Sequence, residues 1–205
     1  MSTAAIARPR PLVLGDLIAM NRGRLAHVVR DVLLVVGAAG FVGLLAQISI
    51  HLSFTPVPIT GQTLGVLLTG TALGWRRAAA AIGLYAVAGV AGVPWFAEHS
   101  SGYASASFGY IVGFFFAAVA CGYLAERGAD RSILKSVPAM LAGEILIYAF
   151  GCAWLAIDLH LSASATLADG FTPFVIGDAI KAAIAAGLLP VAWKLAGRRQ
   201  DQPPA

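Results

Sequence analysis

The chain has 205 residues, of which 59% are hydrophobic and only 12% charged, against roughly 45–50% and about 25% in soluble globular domains. With a mean hydropathy of +0.80 it carries more apolar surface than a soluble fold of this length can hide, which excludes a soluble enzyme, a disordered segment and a disulfide-stapled secreted domain. The formal net charge of +4 does not point to nucleic acid, because the basic residues come in clusters between long apolar runs, the pattern of a polytopic membrane protein.

The N-terminal stretch through Arg30 is polar and Arg-rich, and the apolar run after it lacks an Ala-x-Ala cleavage site, so a retained first helix is expected. From Val32 to Trp75 no residue is formally charged, yet HLSFTPVPITG interrupts the run. There Pro56 and Pro58 remove backbone donors and push the residues before them toward extended geometry. The pattern predicts a first helix over 32–50, a loop over 51–60 that carries Phe54, and a second helix over 61–74. At 1.5 Å per residue the second helix spans about 20 Å, short of a hydrocarbon core of about 30 Å. It is therefore tilted, or the loop before it dips into the membrane, where non-helical backbone is tolerated only inside protein or against a cavity.

A third helix is expected over 78–93, a small-residue loop over 94–107 and a fourth helix over 108–124. After the polar turn ERGADRSILK come a fifth helix over 136–159, a polar loop over 162–173 and a sixth helix over 174–196. The whole is read as one all-α integral membrane domain over 1–205, a six-transmembrane-helix bundle. Thirteen of the fourteen Lys and Arg residues then fall on one side. They comprise Arg8, Arg10, Arg22, Arg24 and Arg30, then Arg76 and Arg77, then Arg127, Arg131 and Lys135, and finally Lys194, Arg198 and Arg199. By the positive-inside rule both termini are cytoplasmic.

The fourteenth basic residue, Lys181, lies inside the sixth helix three positions after Asp178. Ionisable residues within a span are costly and normally face a cavity or a partner, and residues i and i+3 share a face. Two readings follow: an ion pair that only stabilises the helix, or a site near the extracytoplasmic face offering one anion and one cation to an amphoteric small molecule. Gln62, just after the proline loop, can line such a pocket or cap backbone. Glu144 reads as a capping or pairing residue of the fifth helix. Asp158 and His160, and Glu98 and His99, read as solvated. Trp95, Phe96, Tyr103, Phe108 and Tyr110 are interfacial anchors or a lid over an apolar pocket. Ala39 and Gly43, four apart on the first helix, permit close helix approach. Cys121 and Cys152 have no metal-ligand or redox spacing around them and read as inert packing residues. The sequence has no G-x-x-x-x-G-K-[ST] phosphate loop, no H-E-x-x-H and no G-x-S-x-G, so ATPase, metalloprotease and serine-hydrolase readings lack their parts.

AQISIHLSFTPVPITGQTLGVLLTG over 46–70 resembles the signature of the BioY family, the biotin-specific substrate-binding (S) components of energy-coupling factor (ECF) transporters. GVAGVPWF (89–96), FGYIVGF (108–114) and FTPFVIGDAIKA (171–182) match in order and spacing, so that the resemblance covers about 30–194. It implies a six-helix bundle with an outward-opening pocket for biotin, formed by the loops between helices 1 and 2, 3 and 4, and 5 and 6. It further implies import that needs a transmembrane coupling protein and a pair of ABC-type ATPases, in the cell inner (plasma) membrane. The family's helix-6 Asp and Lys fall on Asp178 and Lys181 as ligand contacts, and its 3–4 loop polar contact falls near Ser100. The loop here, EHSSGYASASFGY, keeps only Gly109-Tyr110 of the family's glycine-rich run. The family's Ala-x-x-x-Ala patch for the coupling protein becomes Ala39-x-x-x-Gly43. The resulting candidate contact set is Asp178, Lys181, Gln62, Ser100, Trp95, Tyr110 and Phe54, with Ala39 and Gly43 as the partner interface and no metal or cofactor. An S component for another small vitamin and an intramembrane enzyme are the alternatives, the latter lacking a nucleophile or metal set.

Overall fold

The computed structural model describes residues 13–18 and 23–200. The charge placement at Arg8, Arg10 and Arg22 lies outside them, as do the side chains of Arg198 and Arg199. The described residues form seven α-helices: α1 (Arg24–Ala46), α2 (Gln62–Leu73), α3 (Trp75–Val90), α4 (Phe108–Ala125), α5 (Ile133–Asp158), α6 (Ala163–Gly170) and α7 (Val175–Gln200). A two-residue antiparallel ribbon, β1 (Ser49–Ile50) with β2 (Ile59–Thr60), pairs Ser49 with Thr60 and Ile50 with Ile59. Four helices, α1, α4, α5 and α7, are long and apolar enough to cross a membrane.

The differences from the expected elements have local causes. α1 begins at Arg24 rather than Val32, because Arg and His stems at a helix end can lie along apolar surface with their heads in water. The extended geometry around Pro56 and Pro58 is realised as the β1–β2 ribbon, so the first helix stops at Ala46 and not at Ile50. α3 starts three residues early, since Gly74 alone turns the chain out of α2 with a φ of +79°, a conformation that glycine adopts without steric cost. The polar loop after α5 contains α6, an eight-residue helix capped by the Ser162 hydroxyl, which accepts from the Ala165 amide at 3.3 Å. That makes seven helices where six were expected; at roughly 12 Å, α6 is too short to span.

α4 lies at the centre, packed against α5, α2 and α3. Its small residues let α5 approach closely: a Cβ on Gly113 would sit 2.8 Å from the Ile147 Cα, in keeping with small residues at helix interfaces in membranes. Two apolar clusters fill the interior. One contains Ile82, Tyr85, Phe96, Tyr110 and Phe114; the other contains Leu67, Cys121, Met140, Ala185 and Leu189. Outside, Ile176, Ile180, Ile184 and Leu188 form one exposed stripe along α7, and Leu25, Val29, Leu33 and Val36 another along α1, surfaces suited to lipid. Ala39 and Gly43 point the other way. Ala39 is in the core, and a Cβ on Gly43 would sit 3.4 Å from the Trp95 side chain; the small residues of α1 with open space beside them are Gly37 and Gly40. The spacing placed both residues on one face, and the seating of Trp95 turned that face inward. Cys121 and Cys152 are free thiols, the first buried.

The end that carries the charge clusters is tied by polar contacts. Arg77 bonds Asp16 at 2.7 Å and Asp31 at 3.1 Å, so residues 13–18 are held against the bundle. In the turn before α5, fully buried Asp130 accepts the Trp193 indole N–H at 2.5 Å on Oδ2, while its Oδ1 has no hydrogen-bond partner. Burial pushes its carboxyl above the ordinary value, and the Trp193 bond and Arg131 offset this only in part. The folded protein therefore binds this proton more tightly than the unfolded chain, and stability falls as pH rises from the ordinary carboxylate range through the raised value. Asp130→Asn keeps an acceptor for Trp193 and removes the buried charge. Thermal unfolding in detergent should find this variant more stable than wild type near neutral pH, the gap closing on acidification; a gap constant with pH would refute the assignment.

Candidate functional site

The proline ribbon and the N-terminus of α2 fold against the first two turns of α7, and together they line a pocket with one polar end and apolar walls, the character usual for small-molecule sites. Its polar end is built on Lys181. The ammonium donates to the Thr60 carbonyl at 2.6 Å, to Asp178 Oδ1 at 2.8 Å and to Thr63 Oγ1 at 3.1 Å, which uses all three of its protons. Asp178, 5% exposed, accepts two further bonds, from the Thr63 hydroxyl at 2.9 Å on Oδ1 and from the Tyr148 hydroxyl at 2.5 Å on Oδ2. One carboxylate and one ammonium are thus held at fixed positions by α2, α5, α7 and β2.

A second polar chain leaves the same junction. The Thr60 hydroxyl donates to Gln62 Oε1 at 2.9 Å, Gln62 Nε2 donates to the Tyr85 hydroxyl at 2.7 Å, and that hydroxyl donates to the Trp95 carbonyl at 3.3 Å. The remaining walls are apolar, formed by Phe96, Tyr110, Ile111, Phe114, Ile147 and Phe174, with Ser105 and Ser107 adding hydroxyls from the loop before α4. α6 is tethered beside the cavity from two sides: the Tyr110 hydroxyl donates to the Gly170 carbonyl at 2.5 Å and the Thr55 hydroxyl to the Asp169 carbonyl at 2.6 Å.

Of the seven candidate contacts read from sequence, Asp178, Lys181, Gln62 and Tyr110 line this cavity, as does Phe96 of the aromatic set. Three lie elsewhere. Ser100 is exposed and its hydroxyl donates to the Ala97 carbonyl of its own 3-10 turn, so the loop's serines at the cavity are Ser105 and Ser107. Trp95 stands behind the wall, tilted on Tyr85 with centroids 5.2 Å apart, its indole donating to the Tyr85 carbonyl. Phe54 is 65% exposed at the ribbon's tip. Glu98, His99, Asp158 and His160 are exposed, as expected. Sequence reasoning missed Thr63 and Tyr148; the available signal for Tyr148 was a lone hydroxyl in an apolar span. It also missed Gln47, whose amide bonds the Gly43, Trp95 and Phe96 carbonyls and fixes the loop after α3. Glu144, expected to cap or pair, has no hydrogen-bond partner on either oxygen.

Membrane-length helices around a pocket, apolar-walled with one charged and hydrogen-bonded end, make a small-molecule receptor embedded in a bilayer. The chain belongs to the BioY family, whose model matches residues 16–198. It is 38% identical over 154 residues to "Biotin transporter BioY" of Rhizobium etli, covering 70% of this chain and 81% of that one. It is 36% identical over 153 residues to "Biotin transporter BioY2" of Lactococcus lactis subsp. cremoris, covering 73% and 82%. A crystal structure described as the S-component for biotin from an ECF-type ABC transporter has the same fold, with a TM-score of 0.76 at 22% identity, covering 86% of this chain and 95% of that one.

The polar end of the cavity makes a prediction about stability alone. Asp178→Asn keeps the size of the side chain but leaves the Lys181 ammonium without its anion, a change that costs about 3–5 kcal/mol when a buried pair is broken. Adding Lys181→Met should recover most of that loss in thermal unfolding. A double variant as unstable as the single one would show that the two charges do not compensate each other.

Proposed function

We infer that this chain is the biotin-binding substrate-specificity component of an ATP-driven ECF-type importer, a transport component and not an enzyme. The observation that carries the reading is the Asp178–Lys181 pair, bonded to Thr63, Thr60 and Tyr148 at one end of an apolar-walled pocket, in a chain of the BioY family. Biotin suits such a pocket chemically. Its ureido group has two N–H donors and a carbonyl acceptor, which an anion and a cation side by side can satisfy, and its ring sulfur and aliphatic chain suit Phe96, Phe114, Ile147 and Phe174. The ligand contacts in this reading are Asp178, Lys181, Thr63, Tyr148, Gln62 and Tyr110.

The chain lacks a phosphate-binding loop, so ATP hydrolysis is assigned to partners, a transmembrane coupling protein with ABC-type ATPases. The proposed setting is the plasma (inner) membrane. α1 to α5 and α7 supply six spans, both termini are cytoplasmic, and α6 lies beside the outward-opening pocket. Support comes from the placement of thirteen of fourteen Lys and Arg residues on one side and from the lone exception, Lys181, being bonded inside the pocket.

Purified protein in detergent should bind labelled biotin without ATP. The stable double variant Asp178→Asn with Lys181→Met should lose affinity tenfold or more, since hydrogen bonds to charged groups are worth roughly 1.5–3 kcal/mol. Wild-type protein that leaves biotin unbound would sink the receptor reading. For topology, reporters fused at either terminus should be active only in the cytoplasm, and a tag inserted near Ser101 should be reached from outside. Termini on opposite faces would mean an odd number of spans.

A further inference from the structure

The loop that follows α3 meets the pocket with Phe96 and Ala97, and a side chain outside the pocket bonds the backbone of that loop at three places. Gln47, at the end of α1, donates from Nε2 to the Trp95 carbonyl at 3.2 Å and to the Phe96 carbonyl at 3.1 Å. The same nitrogen donates to the Gly43 carbonyl of α1 at 3.0 Å, and Oε1 accepts the His99 amide at 3.1 Å. Two N–H groups are thus shared among three carbonyls. The amide fits in one orientation only, because turning it over would set its oxygen against those carbonyls and its N–H groups against an N–H.

The loop does not keep this shape by backbone preference. Glu98 and His99 are consecutive non-glycine residues in the left-handed region, with φ of +57° and +56°, a conformation that persists where the surroundings over-determine it. The bond from the His99 amide to Gln47 falls at that strained turn. Two residues before the turn, Phe96 is 3% exposed and stands edge-on to Tyr85, with centroids 5.2 Å apart. Its ring is seated on Gly89, where a Cβ would collide with it. The ring of Phe96 is therefore placed by α3, and its backbone by Gln47 of α1.

We propose that Gln47 is a positioning residue for ligand binding: through the backbone of residues 95–99 it holds Phe96 in the pocket wall, and so sets affinity without touching the ligand. The inference rests on the receptor reading given above and adds to it a residue beyond the pocket lining. A wall already in place costs the ligand nothing to order, whereas a loop released from Gln47 must be ordered on binding. Glutamine suits the position because carbonyls and an amide N–H converge on it, and an apolar side chain of the same shape serves neither.

The test is a double-mutant cycle read by biotin calorimetry in detergent, with wild type, Gln47→Met, Phe96→Ala and the double variant. Met fills the space of Gln without its donor and acceptor. Phe96→Ala removes the wall that Gln47 holds and leaves Phe114, Ile147 and Phe174. Gln47→Met should weaken biotin binding about tenfold at unchanged stoichiometry, and should cost roughly twofold at most when Phe96 is already Ala. Wild-type affinity in Gln47→Met would overturn the proposal. So would an equal loss with and without Phe96, since Gln47 would then act elsewhere. A lowered stoichiometry at wild-type affinity also counts against it, because it reports a fraction of unfolded protein and a purely structural role. Wild-type protein that leaves biotin unbound removes the receptor reading and this inference together, whereas the other adverse results remove only the inference.

Discussion

A lysine ammonium inside a membrane bundle must be surrounded by acceptors, and the arrangement around Lys181 follows from that requirement. Its bonds to Thr60, Thr63 and Asp178 draw three elements to one point: the end of the proline ribbon, the start of α2 and the first turns of α7. Tyr148 adds α5 through Asp178. The ribbon is non-helical backbone set between helices, and its free carbonyl at Thr60 is one of the ammonium's acceptors, so that each explains the other's position. A helix in place of the ribbon would turn that carbonyl along its own axis and leave the cation short of a partner.

Thr60 also joins this cluster to the rest of the pocket. Its carbonyl serves Lys181 and its hydroxyl serves Gln62, which leads through Tyr85 to the backbone at Trp95. On the far side of that backbone Gln47 bonds the Trp95 and Phe96 carbonyls. The loop after α3 is therefore fixed from two directions, and Phe96 is presented to the pocket as a wall while Trp95 is held behind it. In a setting where water cannot serve as a partner, such chains decide which side chain lines a cavity and which supports one.

The same logic separates structure from recognition in the candidate site. Inside the bundle the polar side chains of the pocket cluster are each bonded to another group of the protein, so a ligand meets groups already held in place. That favours a molecule with both donors and acceptors over a plain anion, since an anion meeting Asp178 would be repelled where a donor would be accepted. The apolar walls contribute burial, and the polar end contributes discrimination.

Much of this was legible in the residues themselves. Composition required a membrane protein, the paired prolines required extended backbone between the first two helices, and the i, i+3 spacing of Asp178 and Lys181 placed both on one face of one helix. These are local properties, set by covalent geometry and helical period. The directions in which faces turn were not legible. Ala39 and Gly43 share a face by spacing, but the Trp95 ring turned it inward; Ser100 sits in the right loop, but a 3-10 turn took its hydroxyl; Phe54 lies in the signature segment, but at the ribbon's exposed tip. Thr63 and Tyr148 come from α2 and α5, and only the packing of those helices against α7 brings them to Asp178. One chain's period fixes which residues lie together along an element, whereas the choice of neighbour depends on how several elements fill a shared interior, and that is decided only when they pack.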